Sequence, residues 1–208
     1  MEPAGAIGGL RGAELLIATG NAGKLAEFSA LLAPYGTRLR SLQDFGLPEP
    51  EEAAFSFEGN ALLKARAGVA ACGLPTLSDD SGLVVAGLGG APGIYTADWA
   101  EGRSGRDFRR AMTKTWDLLE AVGAPAPRMA AFYCVLALVW PDGREETFAG
   151  RLYGQIVWPM RGAFGHGYDP IFQPDGQGVT MGEMDPVVKN AISHRADAVA
   201  KFVHACFT

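Results

Sequence analysis

Short apolar runs alternate along the chain with segments whose apolar residues recur at the spacing of a helix face. Near the start, an apolar run at 15–18 is followed by apolar residues that recur at the spacing of a helix: Leu25, Phe28, Leu31 and Leu32. This pattern predicts a strand that passes into a helix. The same reasoning predicts further helices over 57–72, 105–122 and 186–207, and further strands over 37–42, 75–78, 83–85, 129–140 and 145–158.

Strands that alternate with helices, with one long hairpin at Pro141-Asp142-Gly143, indicate an α/β fold in which helices flank a mixed sheet. The chain shows no internal repeat and no linker long enough to separate independent domains. We therefore expect residues 14–208 to form one domain. Residues 1–13, which are rich in Gly and Ala, are predicted to be a flexible N-terminal extension.

Composition narrows the class of protein. Apolar residues make up 48% and charged residues 20% of the 208 residues, as in an ordinary soluble globular protein. The net charge of −5 argues against a general nucleic-acid-binding surface, which needs a basic face. No apolar run reaches the roughly 18 residues of a membrane span, no signal peptide is visible, and the three cysteines form no C-x-x-C pair. We expect a cytoplasmic protein that binds neither nucleic acid nor membrane.

The first candidate site lies where the first strand meets the first helix, at Thr19-Gly20-Asn21-Ala22-Gly23-Lys24. Glycines let a ligand approach the backbone, a helix N-terminus offers free N–H groups, and a lysine adds positive charge, so the segment suits a phosphate. It differs from a Walker A loop because Leu25, rather than Ser or Thr, follows the lysine. A tight turn with a surface lysine is the alternative interpretation.

The second candidate site is the pair of carboxylates in Ser78-Asp79-Asp80-Ser81-Gly82. Adjacent carboxylates after a strand rarely serve packing, because buried charge is costly unless it is paired or bound to a metal. Asp79 and Asp80 would point to opposite sides of the strand end and have different roles. One of them could bind Mg²⁺, with Glu51 or Glu52 as a second acidic ligand. The alternatives are a solvated turn and a solvated acidic loop.

Two further segments carry rings and positive charge. The loop at 165–170 places His166 and Tyr168 among glycines, as a loop that approaches a planar ligand requires. The segment at 189–195 carries three side chains that could converge on one anion: Lys189, His194 and Arg195. A structural turn and a solvated basic helix face are the alternatives. Taken together, the four segments are the components of a nucleoside triphosphate site.

Six segments resemble, in the same order, those of the inosine triphosphate pyrophosphatase family: TGNAGK, FEGNALLKA, SDDSGL, LGGAPGIY, GHGYDPIF and KNAISHR. Members of that family hydrolyse non-canonical purine nucleoside triphosphates to the monophosphate and pyrophosphate. The resemblance runs from Leu15 to the C-terminal helix. It implies an elongated mixed α/β structure of two lobes with the active site in the cleft between them, and a homodimer.

The resemblance also implies roles for particular residues. Asp80 would accept a proton and, with Glu52, bind Mg²⁺, while Ser81 would contact the substrate. The substrate loop would consist of Thr19, Gly20, Asn21, Ala22, Gly23 and Lys24. The base pocket would be lined by His166, Gly167, Tyr168 and Asp169, and the nucleotide site would be completed by Lys189, His194 and Arg195.

Two positions depart from the family pattern. The family often has Phe where this chain has His166, and Arg where this chain has Asp98. The implied reaction is attack of water at the α-phosphorus, with Asp80 orienting or deprotonating that water. Two alternatives stay open: a pyrophosphatase that acts on other modified or canonical triphosphates, and a nucleotide-binding module without turnover.

Overall fold

The computed structural model describes residues 10–102 and 105–207. Residues 1–9 of the predicted N-terminal extension lie outside the described residues. Leu10 is the first described residue: its side chain is fully buried, and the Thr37 hydroxyl donates a hydrogen bond of 3.0 Å to the Leu10 carbonyl oxygen.

The described part of the chain contains both helices and strands. The helices are α1 (Ala22–Leu32), α2 (Phe57–Cys72), α3 (Phe108–Ala121), α4 (Pro186–Ile192) and α5 (His194–Phe207). The strands are β1 (Glu14–Ile17), β2 (Arg38–Ser41), β3 (Thr76–Val85), β4 (Glu101–Gly102), β5 (Gly105–Arg106), β6 (Met129–Val139), β7 (Glu145–Ile156) and β8 (Phe172–Pro174).

Six of these strands form one sheet in the order β2-β1-β3-β6-β7-β8. β1 pairs in parallel with both β2 and β3, whereas β7 and β8 are antiparallel. The predicted α/β fold with a mixed sheet is therefore confirmed. β4 and β5 form a separate antiparallel pair.

Local signals explain where the best-predicted helix begins and ends. The Ser56 hydroxyl accepts a hydrogen bond from the Gly59 N–H and caps the start of α2. The helix ends at Gly73, whose φ of +70° suits glycine. The prediction of a helix over 57–72 is confirmed at both ends.

Three element predictions are wrong. The two strands predicted on either side of the Asp79-Asp80 pair are one continuous strand, β3, because neighbouring side chains neutralise or hydrogen-bond both carboxylates. The helix predicted from residue 105 begins at Phe108, since the Asp107 carboxylate caps it by accepting from the Arg110 N–H. The single final helix is two helices, because Ser193 is extended and its hydroxyl accepts from the Ala196 N–H at the start of α5.

The chain divides into two compact units, and the boundary falls within β3 between Asp80 and Ser81. The first unit holds the chain up to Asp80, residues 134–149 and the chain from Asp197. The second holds Ser81–Tyr133 and Gly150–Ala196. Each unit has its own apolar core. The cleft between two lobes stays a prediction.

Candidate active site

The segment between β1 and α1 is held together by its own side chains. The Thr19 hydroxyl accepts from the Asn21 N–H at 3.1 Å. The Asn21 side chain caps α1 by accepting from the N–H groups of Gly23 and Lys24 at 2.9 and 3.3 Å. These two N–H groups, predicted to be free for a phosphate, are therefore occupied by the cap.

The Lys24 ammonium contacts a carboxylate on β3. It lies 2.7 Å from the Asp79 carboxylate, and Asp79 is almost completely buried. An ion pair with a cation compensates the cost of burying the Asp79 carboxylate. The structure thus assigns Asp79 and Asp80 different partners, as their opposite directions on a strand predict.

Asp80 is held by a side chain from α2. Its side chain is 6% exposed and accepts a hydrogen bond of 3.0 Å from the Asn60 amide, whose own oxygen accepts from the Ala54 N–H at 2.9 Å. The pKa of Asp80 is raised to about 6, chiefly by burial and also by the nearby Glu52 carboxylate. The charge of Lys64, the Asn60 hydrogen bond and the charge of Lys24 act in the opposite direction. Asp80 therefore changes protonation state close to neutral pH.

Lys64 lies one helical turn after Asn60, so both side chains lie on the same face of α2. Its side chain is 3% exposed and forms an ion pair with Glu52. Burial lowers the pKa of Lys64, but the charges of Asp79, Glu52 and Asp80 and the hydrogen bond to Glu52 outweigh burial and raise it overall. Lys64 is thus a buried ammonium ion among three carboxylates.

Sequence reasoning did not single out Asn60 and Lys64, although both lie in FEGNALLKA. Their four-residue spacing on a helix is the signal that could have identified them, since it aligns a polar and a charged side chain on one face. We call the set Lys24, Glu52, Asn60, Lys64, Asp79 and Asp80 the carboxylate cluster. All six belong to the first unit.

The carboxylate cluster suits a metal that takes few protein ligands. Within residues 10–102 and 105–207, no group of three or more His, Cys, Asp or Glu side chains is arranged to hold a metal ion. Mg²⁺ needs only one or two carboxylates, because waters and substrate phosphates complete its coordination. Asp80 and Glu52 supply two carboxylates. They lie close together, since the charge of Glu52 raises the pKa of Asp80. This donor set fits Mg²⁺.

The second unit contains a buried ion pair next to the glycine-rich loop at 162–167. The Lys189 ammonium lies 2.9 Å from the Asp169 carboxylate, and both side chains are buried. The same carboxylate oxygen accepts a hydrogen bond of 3.0 Å from the backbone N–H of His166. The loop bends around this oxygen at Gly165, which has a φ of +78° and contacts the Asp169 carboxylate so closely that a Cβ would collide with it.

The two rings of the predicted base pocket have different surroundings. The His166 side chain is exposed. Tyr168 is 1% exposed; its hydroxyl donates to the Thr96 carbonyl oxygen at 3.1 Å and its ring contacts the edge of Phe108. Burial raises the pKa of Tyr168 well above its ordinary value, so the hydroxyl stays protonated. Tyr168 anchors the loop in the core, and its direct contact with a base stays a prediction.

The remaining predicted residues lie around the start of α5. The Arg195 guanidinium donates to the Ser81 hydroxyl at 3.4 Å, so these two residues are brought together. The His194 ring stacks on Phe132, with ring centres 5.1 Å apart. The break at Ser193 separates Lys189, on α4, from His194 and Arg195, on α5.

Comparisons with known proteins match most of the chain. A sequence model of the Ham1 family matches residues 15–205. The chain is 57% identical to the dITP/XTP pyrophosphatase of Ruegeria pomeroyi over 94% of this chain and 96% of that protein. It is 49% identical to the dITP/XTP pyrophosphatase of Agrobacterium fabrum over 92% of this chain and 95% of that protein.

Solved structures agree with the sequence relatives. A HAM1 protein from Coxiella burnetii superposes with a TM-score of 0.87 at 36% identity, covering 92% of this chain and 97% of that one. A nucleoside-triphosphatase / dITP/XTP pyrophosphatase from Mycobacterium abscessus superposes with a TM-score of 0.78 at 40% identity, covering 91% and 98%. No helix within the described ranges has the length and apolar character to cross a membrane.

Proposed function

The chain belongs to the Ham1 family, and on that basis we propose that it hydrolyses non-canonical purine nucleoside triphosphates, including those of inosine, deoxyinosine and xanthosine, to the monophosphate and pyrophosphate. It is a nucleoside triphosphate pyrophosphohydrolase that removes these nucleotides from the nucleotide pool. The observation that carries the proposal is the match to dITP/XTP pyrophosphatases over nearly their whole length.

Asp80 is the proposed proton acceptor for the attacking water at the α-phosphorus. A general base works best when its pKa lies near the operating pH, and burial raises the pKa of Asp80 to about 6. The hydrogen bond from Asn60 fixes one carboxylate oxygen, which leaves the direction of the carboxylate defined before substrate binds. A water that donates to Asp80 would be oriented for attack.

The two lysines of the carboxylate cluster supply positive charge for the phosphates. Lys64 is held as an ammonium ion by three carboxylates, and Lys24 is paired with Asp79. Fixed cations stabilise charge that develops on a phosphoryl group at little cost in reorganisation. Thr19 to Lys24 form the proposed substrate loop, in which Asn21 fixes the start of α1 and thereby the base of the Lys24 side chain.

Mg²⁺ is the proposed cofactor, with Asp80 and Glu52 as its protein ligands. When bound, it would neutralise phosphate charge. Glu52 is paired with Lys64 in the structure, so its carboxylate is already directed into the carboxylate cluster.

The polar groups of the second unit are proposed to bind the base and the rest of the nucleotide. Asp169, Lys189 and the His166 N–H already form one hydrogen-bonded group. Ser81 and Arg195 form another, with His194 held by its stacking on Phe132. A donor that faces the 6-oxo group of hypoxanthine or xanthine would meet the amino group of adenine instead, which leaves buried donors unpaired and disfavours adenine.

A substrate panel tests the function. Pyrophosphate release would be measured with Mg²⁺ for the triphosphates of inosine, deoxyinosine, xanthosine, guanosine, adenosine and thymidine. The proposal requires that the first three have the highest kcat/KM. Equal rates on all six would indicate a general triphosphate pyrophosphatase, and nucleotide binding without pyrophosphate release would indicate a binding module.

We further propose that the protein works in the cytoplasm as a homodimer, as the family resemblance implies. Light scattering on the purified protein would give twice the chain mass of 21.9 kDa for a dimer. A monomer at all concentrations would contradict this part of the proposal and leave the activity untouched.

A further inference from the structure

The loop at 162–167 carries a large apolar ring that packing does not explain. The Phe164 side chain is 55% exposed, whereas Tyr168, four residues later, is 1% exposed and belongs to the core. An exposed phenyl ring leaves much of its apolar area in water. A single exposed apolar side chain is common on protein surfaces, so exposure alone does not indicate a function.

The backbone that carries Phe164 is fixed on both sides. The Phe164 N–H donates to the Gly182 carbonyl oxygen at 2.9 Å. Gly162 has a φ of +86° and contacts the backbone of Gly182 and Glu183 so closely that a Cβ would collide with it. On the other side Gly165 is packed against the Asp169 carboxylate. The backbone position of Phe164 is therefore defined, and its phenyl ring is exposed there.

Buried hydrogen-bonding groups contact the loop at the residue that follows Phe164. Gly165, the next residue, contacts the Asp169 carboxylate, which binds both the Lys189 ammonium and the His166 N–H. A flat apolar ring on the same short loop as a fixed set of donors and acceptors suits a planar ligand with a polar edge. A purine base is such a ligand, since its face stacks on aromatic side chains and its edge forms hydrogen bonds.

We infer that Phe164 supplies the ring that stacks on the purine base of the substrate, and that His166 has the smaller part in base binding. This inference rests on the proposed function. A phenyl ring offers a larger apolar face than an imidazole, which carries two polar nitrogens. The position of Phe164 two residues before His166 gives the loop an aromatic face that does not depend on His166.

Binding of inosine monophosphate, measured by titration calorimetry, tests the inference without turnover. Phe164→Ala should weaken binding by roughly 5- to 100-fold, the range expected when one base–aromatic stack is lost. Phe164→Trp should bind as well as the wild type. Phe164→Leu keeps an apolar side chain of similar size without a ring, and it should weaken binding nearly as much as Phe164→Ala.

Two controls separate stacking from a loss of structure. Tyr153→Ala removes a ring that is 52% exposed on β7 and should leave binding unchanged. Inorganic tripolyphosphate has no base, so its inhibition constant should be the same for the wild type and all Phe164 variants. If Phe164→Ala does not fold, Phe164→Leu, whose thermal unfolding is compared with the wild type, decides the question.

The outcomes distinguish this inference from the proposed function. Normal binding by Phe164→Ala or Phe164→Leu, or a larger loss in His166→Ala than in Phe164→Ala, would overturn the inference while pyrophosphate release by the wild type stands. If the wild type released no pyrophosphate, the proposed function would fail, and the calorimetric comparison would still decide whether Phe164 stacks on the base.

Discussion

At the scale of single residues, the Asp80 carboxylate carries the most specific chemistry. Asp80→Asn replaces the proposed base by an amide that can still accept the hydrogen bond from Asn60, so the fold should be kept. Turnover should fall by at least the roughly 10²-fold typical of lost acid–base catalysis. The measurement is kcat for inosine triphosphate at saturating Mg²⁺. Asp117→Asn, an exposed carboxylate on α3, is the matched control, and equal rates for the two variants would disprove the role of Asp80.

The Asp80 carboxylate should make the free energy of unfolding depend on pH. In the folded protein the pKa of Asp80 is about 6, above the ordinary value of 3.8 that applies to the unfolded chain. Between these two values the folded state holds a proton that the unfolded state has released. Stability should therefore fall as pH rises from about 4 to about 6 and stay lowered above that.

The difference between a pKa of 3.8 and one of about 6, at 1.36 kcal/mol per pKa unit, lowers the free energy of unfolding at high pH by at most about 3 kcal/mol. Asp80→Asn removes it, so the variant should unfold at a higher temperature than the wild type at pH 8 and at a similar temperature at pH 4. Thermal unfolding in EDTA at both pH values is the measurement. A stability difference that is the same at both pH values would contradict this explanation.

The residues of the carboxylate cluster differ in how far the sequence could predict them. Asp80 was predictable, because two adjacent carboxylates after an apolar strand need a reason to be there. Asn60 and Lys64 were missed as site residues, since their burial depends on α2 packing next to β3. A helix of Ala, Leu, Lys and Arg does not show by itself which of its cations is buried. Lys64 is 3% exposed, whereas Arg66, two residues later, is exposed and pairs with Glu145.

At the scale of elements, predictions held where the signals are local. Ser56 and Gly73 mark the ends of α2 by capping chemistry that acts within a few residues. β3 was divided in error because Asp-Asp-Ser-Gly has the composition of a turn. Only the partners from other elements, Lys24 and Asn60, make two carboxylates compatible with a buried strand. The break at Ser193 was missed because serine is only a weak helix breaker.

The glycine-rich loop offers a test of close packing with a matched control. Gly165 and Gly176 have similar positive φ values, +78° and +74°, but only Gly165 contacts another group, the Asp169 carboxylate. Gly176→Ala should lower the free energy of unfolding by roughly 1 kcal/mol or more, because alanine is strained at a positive φ. Gly165→Ala adds a collision that must displace the carboxylate.

Gly165→Ala should therefore lower stability more than Gly176→Ala, and it alone should weaken binding of inosine monophosphate by disturbing the Asp169–Lys189 pair. Chemical denaturation gives the stabilities, and calorimetry gives the binding constants. Equal effects of the two substitutions on binding would mean that the position of Asp169 does not matter for the base.

At the scale of the whole molecule, the carboxylate cluster links metal binding to global unfolding. It holds three carboxylates and two lysines, so it carries an excess of negative charge when Asp80 is ionised. A cation that binds the folded state alone raises the free energy of unfolding by RT ln(1 + [L]/Kd), which is about 1.4 kcal/mol at ten times Kd. Mg²⁺ at millimolar concentration should raise the unfolding temperature of the wild type at pH 8.

The size of that stabilisation should depend on Asp80 and on pH in a defined way. Asp80→Asn removes one proposed ligand and one buried charge, so Mg²⁺ should stabilise this variant much less than the wild type. Protons compete with Mg²⁺ for Asp80, so the effect on the wild type should also shrink below pH 6, where the carboxylate becomes protonated. Thermal unfolding over a series of Mg²⁺ concentrations, with Asp117→Asn as the control, measures both. Equal stabilisation of Asp80→Asn and Asp117→Asn would show that the cation binds elsewhere.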